Sequence, residues 1–169
     1  MILIVVTILA CASIAQGFKQ CEADPAAILR VKHITEPVIL QKGKRFEADF
    51  DIDIKRKFPP TFKAVISLQR KVWFAWVPLP CINQVGSCTY DVTCDMLNKL
   101  QIENGGVINH KCPAEAGQTV SQKVGITLPD IPGPVKVLGS GTYWARAKLV
   151  GSDGRVLACV EKTMEIKSP

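Results

Sequence analysis

The chain is 169 residues long, carries a net charge of +6 and is 47% hydrophobic. That length and hydrophobic content suit one domain able to bury a real core. The positive balance is not that of a nucleic-acid binder, because no aromatic-basic recognition motif accompanies it.

The first segment, Met1 to Gly17, reads as a signal peptide, leaving 18–169 as a single mature domain. Its apolar run Ile2–Ala10 is too short to cross a bilayer, and small residues suited to cleavage follow at Ala15 and Gly17. Removing it also removes Cys11, so the mature chain keeps an even set: Cys21, Cys81, Cys88, Cys94, Cys112 and Cys159. An even cysteine count in an exported chain implies disulfide staples. Zinc is the rival for the central four, but structural zinc sites draw on tight Cys-x2-Cys pairs, and none is present.

Strands are expected at Ile28–Ile34 and Val38–Leu40. Phe46, Ala48, Phe50, Ile52 and Ile54 then alternate with Glu47, Asp49, Asp51 and Asp53, the pattern of a strand with one wet face. Past Pro59-Pro60, Phe62, Ala64, Ile66 and Leu68 repeat that alternation. Between Lys42 and Lys71 nine basic residues stand against four acidic ones, Lys55, Arg56 and Lys57 among the bases. This stripe suits either a solvated face or contact with an anionic lipid surface or acidic partner.

The run Val72–Leu79 breaks the alternation. Read as one strand, it points Trp73, Ala75 and Val77 one way and Val72, Phe74 and Trp76 the other. Two apolar faces fit a doubly covered core strand, or an aromatic set that lines a cavity or dips into a membrane interface. A short helix is expected at Asp95–Ile102 and a strand at Val120–Leu128, followed by a Pro- and Gly-rich apolar loop, Ile131–Leu138. Finally Tyr143, Ala145, Ala147 and Leu149 alternate with polar neighbours, and Ser152-Asp153-Gly154 turns the chain into Val156–Val160 as a hairpin. Short strands with Pro and Gly turns make an antiparallel β-sandwich.

Catalytic signatures are missing. His33 and His110 sit in no nucleophile or metal motif, and no Gly-x-Ser-x-Gly elbow, phosphate-cradling loop or cofactor fingerprint occurs. Asp49, Asp51 and Asp53 share a strand face, where solvation explains them better than Ca²⁺. Binding without catalysis and without a cofactor is the expected class.

The segment Val77-Pro-Leu-Pro-Cys81 through Gly86-Ser87-Cys88-Thr89-Tyr90 to Cys94-Asp95-Met96-Leu97 resembles the cysteine core of the ML lipid-recognition domain family. Asp24-Pro25-Ala26, Cys112-Pro113, Leu128-Pro129-Asp130-Ile131-Pro132 and Gly141-Thr142-Tyr143 on to Cys159 support the likeness in order along the mature chain. The resemblance implies an antiparallel β-cup with an apolar cavity between two sheets, and the pairings Cys21–Cys159, Cys81–Cys88 and Cys94–Cys112. It implies a lipid ligand, a ganglioside or another sphingolipid or phospholipid, lifted from a transiently contacted anionic membrane and presented to a glycosidase. A lipid sensor acting through a receptor is the alternative. The destination is extracellular or lysosomal, although the chain holds no Asn-x-Ser/Thr sequence for an N-glycan tag. On this reading the cavity and its rim draw on Phe46, Phe50, Ile66, Leu68, Trp73, Phe74, Trp76, Ile131, Val135, Tyr143, Ala145 and Ala147. Lys55, Arg56 and Lys57 would hold the rim against lipid.

Overall fold

The structure, a computed structural model, describes residues 17–21, 27–35, 38–41, 44–103, 112–127 and 139–167. Residues 1–16 of the expected leader (Met1 to Gly17) and loop residues Ile131 and Val135 lie outside them. The described residues form ten strands and one helix: β1 (Lys19–Gln20), β2 (Leu29–Ile34), β3 (Ile39–Gln41), β4 (Arg45–Ile54), β5 (Thr61–Val72), β6 (Ala75–Pro78), β7 (Thr89–Thr93), α1 (Cys94–Glu103), β8 (Thr119–Thr127), β9 (Gly141–Gly151) and β10 (Val156–Lys167).

Two sheets face each other. The larger runs β1-β10-β9-β5-β6, with β3 added parallel to β10 and β7 added to β5. The smaller is β2-β4-β8, antiparallel throughout. Alternation of side chains in β4 sends Phe46 through Ile54 to the interior and Glu47 through Asp53 to water. The outer acids are matched across the sheet. Lys32 Nζ lies 2.9 Å from Asp53 and Lys123 Nζ 2.8 Å from Glu47. Hydrogen bonds from Lys32 and Thr119 hold the Asp53 carboxyl below the usual range, and Lys123 does the same for Glu47.

The sheets meet at one end. There Ile28 N donates to the Leu157 carbonyl, Lys55 N to that of Ile28, and Phe58 N to that of Ala114, all at 2.8–2.9 Å. Phe58 and Phe62 stack edge to face at 4.8 Å, packed with Ile28 and Leu157. From this base, burial decreases along both inner faces: Ile54 and Phe62 are buried, whereas Phe46, Ile66 and Leu68 are half-buried.

A second cluster forms at the far end of β9. Tyr143 is wholly buried against Leu79 and Ile166, and its hydroxyl donates to the Gly139 carbonyl.

Helix α1 starts where the sequence places it. Thr93 Oγ1 accepts from Met96 N as an N-cap, and Asp95 lies in the first turn. Asn98 exchanges two hydrogen bonds with the Cys112 backbone beside the Cys94–Cys112 bridge. All three implied disulfides are present, Cys21–Cys159 and Cys81–Cys88 being the others. The Cys81–Cys88 loop requires Gly86, where a Cβ would fall 2.1 Å from the Pro80 carbonyl oxygen.

One expected strand is corrected. The run Val72–Leu79 reverses direction at Trp73-Phe74, so that Val72 pairs with Ala75 and Lys71 with Trp76. The two sets of aromatic residues are therefore not opposite faces of a single strand.

Chain-entropy arithmetic orders the disulfides by the loop they close. The separations of 138, 18 and 7 residues correspond to roughly 5, 3 and 2.4 kcal/mol. Replacing each pair with serine should lower the urea midpoint in that order, with Cys21–Cys159 costing most. An equal loss for all three pairs would contradict the ordering.

Candidate functional site

Between the sheets lies a cavity of about 370 Å³. Phe50, Ile52 and Ile54 of β4, with Leu29 and Val120 beside them, form one wall. Phe62 and Ala64 of β5, Val92 of β7 and Leu149 of β9 form the other. Phe58, Leu97, Ala114 and the disulfide-bonded Cys112 close the base. Well-packed interiors hold few voids larger than a water molecule, so a space of this size is an architectural feature. Every lining side chain is apolar, and the one sulfur is tied in a disulfide. Such walls offer hydrocarbon contact and no group that ionises or attacks.

The expected residues that the structure describes divide into five groups. Phe50 lines the cavity. Phe46, Ile66, Leu68, Ala145 and Ala147 lie further along the same inner faces and are half-buried. Small side chains at 145 and 147, opposite Leu68 and Ile66, keep that stretch thin. Tyr143 does not line the cavity, because Leu79 and Ile166 cover it completely. Its phenol is pushed up by burial, with Arg70 partly opposing. Phe58 and Leu97 escaped the sequence reading because one sits in a loop and the other on a helix, where period two identifies no face. Proline before a break after Phe58 was the available signal.

Trp73, Phe74 and Trp76 form a separate feature. Trp73 and Phe74 are the two-residue loop of the β5–β6 hairpin and are 89% and 91% exposed. Val72, Trp76 and Val77 behind them are also exposed, making a continuous apolar tip. Trp73 has φ of 58°, a left-handed conformation that hairpin loops usually assign to Gly or Asn. Holding a bulky side chain there costs on the order of 1–2 kcal/mol. An exposed aromatic pair with Trp73 in a strained conformation is not what stability alone selects.

Lys55, Arg56 and Lys57 are placed differently from the expected rim. They follow β4 at the base, next to Phe58, with Lys57 Nζ 3.0 Å from Glu115. The 12 residues of β5 separate them from the aromatic tip, a span of roughly 36 Å. The cations beside the tip are Arg70 and Lys71. Lys71 Nζ lies 5.9 Å from the Trp76 ring centroid, and the Arg70 guanidinium lies 5.9 Å over Tyr143.

Two sheets with an apolar cavity between them and three disulfides define a disulfide-braced β-cup. The ML domain family matches residues 15–166, and the chain belongs to that family. Among its relatives is the ganglioside GM2 activator of Mus musculus, 24% identical over 153 residues, covering 85% of this chain and 77% of that protein. The Macaca fascicularis ganglioside GM2 activator is 23% identical over 153 residues, covering 85% and 78%. A solved Niemann-Pick type C2 protein from the Japanese carpenter ant shares the fold, with a TM-score of 0.50 at 11% identity, covering 89% of this chain and 98% of that one.

The strain at Trp73 yields a test. In Trp73→Gly, relief of about 1–2 kcal/mol outweighs the roughly 0.5–1 kcal/mol that glycine loses in chain entropy. The variant should be more stable in urea by up to about 1 kcal/mol and bind phosphatidylcholine vesicles more weakly. A less stable variant would show that the ring packs against the fold.

Proposed function

We propose that this protein is an exported, non-catalytic lipid carrier that takes hydrocarbon chains into the cavity and exchanges them at an anionic membrane through the 72–77 hairpin. The observation that carries this reading is the cavity itself, about 370 Å³ with wholly apolar walls. Exposing one acyl chain of roughly 16 methylenes to water costs on the order of 13 kcal/mol, at about 0.8 kcal/mol each. Spontaneous escape from a bilayer is correspondingly slow, and an apolar cavity offered at the surface removes much of that barrier. The hairpin supplies the surface contact, with Trp73 and Phe74 at its end and Arg70 and Lys71 at its root.

The names of the two mammalian relatives extend the proposal to a ganglioside or related sphingolipid or phospholipid, presented to a glycosidase in a lysosomal or extracellular space. Tight wall contacts discriminate poorly between headgroups, since none reaches past the hydrocarbon. The cargo's headgroup is left outside, accessible to a hydrolase.

Transfer of a fluorescent lipid between vesicles tests both parts. Trp73→Ala with Phe74→Ala should slow transfer at least about a hundredfold, in low salt and high salt alike. Ala64→Phe places a ring in the cavity and should reduce transfer about tenfold while costing no more than about 1–3 kcal/mol of stability. Normal transfer by either variant would overturn the part it addresses.

A further inference from the structure

Arg70 is a half-buried basic residue for which no carboxylate partner occurs among the described residues. It sits on the inward-facing register of β5, directly opposite Tyr143 on β9 and Val77 on β6. Its Nη2 donates to the Ser140 carbonyl at 2.9 Å while the guanidinium carbon lies 5.9 Å from the Tyr143 ring centroid. The guanidinium lies against Gly139, where a Cβ would approach Nη2 to 3.2 Å. Among the described residues its partners are that carbonyl and that ring, with no carboxylate. The sequence from Ile54 to Tyr90 contains no Asp or Glu at all. Arg146, by comparison, is held to Glu161, and Arg155 to Asp153. A fixed guanidinium with one donor committed keeps most of its five N–H groups for another acceptor.

We infer that Arg70 is an anion seat for a lipid phosphate, engaged when the aromatic hairpin docks. This rests on the docking reading of the hairpin and adds to it the chemistry of the surface. The vertical spacing fits. Arg70 precedes Trp73 by three residues, roughly 10 Å of strand, and apolar anchors sink about 5–10 Å below the headgroup boundary. With the two rings at the acyl boundary, the guanidinium stands at the level of the phosphates. Its planar fork accepts two phosphate oxygens at once. Lys71, exposed and on the opposite face of the strand, contributes diffuse attraction that salt screens.

Co-sedimentation of the full chain with phosphatidylcholine vesicles, with and without phosphatidylglycerol, at physiological ionic strength, tests the assignment. The unaltered protein should prefer vesicles containing phosphatidylglycerol. Arg70→Gln should lose about fivefold of that preference. Arg70→Lys keeps the charge and the aliphatic cover over Tyr143, so it should fold even if Arg70→Gln does not. It should still lose about threefold, because an ammonium lacks the fork. Both variants should bind pure phosphatidylcholine as the unaltered protein does. Undiminished preference in Arg70→Lys would overturn the seat, reducing Arg70 to one charge among several. Thermal stabilisation by inorganic phosphate that Arg70→Lys abolishes, without any change in vesicle preference, would reassign the anion to a free phosphate and overturn the lipid source. A protein that docks with its preference unmoved fails this inference alone, whereas one that binds no vesicle fails the docking reading.

Discussion

The two sheets join in a packed, hydrogen-bonded base around Phe58 and Phe62, and much of the molecule follows from that junction. Around Phe58 and Phe62 the interior is packed as a core should be, with backbone hydrogen bonds crossing from sheet to sheet. Away from that base the inner faces of β4, β5 and β9 carry Phe46, Ile66, Leu68, Ala145 and Ala147, which are half-buried. Apolar surface that the protein does not cover itself is a standing cost, at about 25 cal/mol per Å². A hydrocarbon ligand removes that cost and gains the same contacts. The disulfides make such an interior tolerable: Cys21–Cys159 ties the first strand region to the last, and Cys94–Cys112 anchors α1 beside the segment that closes the base.

The aromatic hairpin is the second departure from what stability alone would select. A glycine or asparagine would fill the left-handed position at 73 without strain, and polar residues would keep the tip soluble. Instead Trp73 and Phe74 project almost fully into solvent. Cavity and tip stand at opposite ends of β5. Between them the paired positions Ile66, Leu68, Ala145 and Ala147 are apolar, and the alanines keep that stretch thin. Arg70, pinned across Tyr143, sits where that stretch and the tip meet, so hydrocarbon and headgroup chemistry are separated along one strand.

Much of this architecture is legible in the sequence because strand alternation is a strict code. Phe46 to Ile54 and Tyr143 to Leu149 specify an inner and an outer face, Asp153-Gly154 specifies the hairpin between β9 and β10, and Asp95–Ile102 reads as the short helix. The three pairings came through family resemblance, since spacing alone leaves several open. The turn at Trp73-Phe74 was not legible. It contains none of the residues that favour a left-handed loop, so the chain reads as continuing where it reverses. For the same reason Lys55, Arg56 and Lys57 were grouped with the aromatic run, because nearness in sequence hid the length of β5 between them. Cavity residues contributed by a loop and a helix, Phe58 and Leu97, carry no period-two mark. Tyr143 carries that mark but is sealed by Leu79, whose position depends on the unread turn.

On the proposed function, the apolar interior holds hydrocarbon. Native mass spectrometry of the protein, purified from its expressing cells without detergent, addresses this directly. A population heavier than the polypeptide by the mass of a lipid, released on denaturation and lost in Ala64→Phe, is the predicted result. A polypeptide of bare mass that stays bare after incubation with vesicles would contradict it.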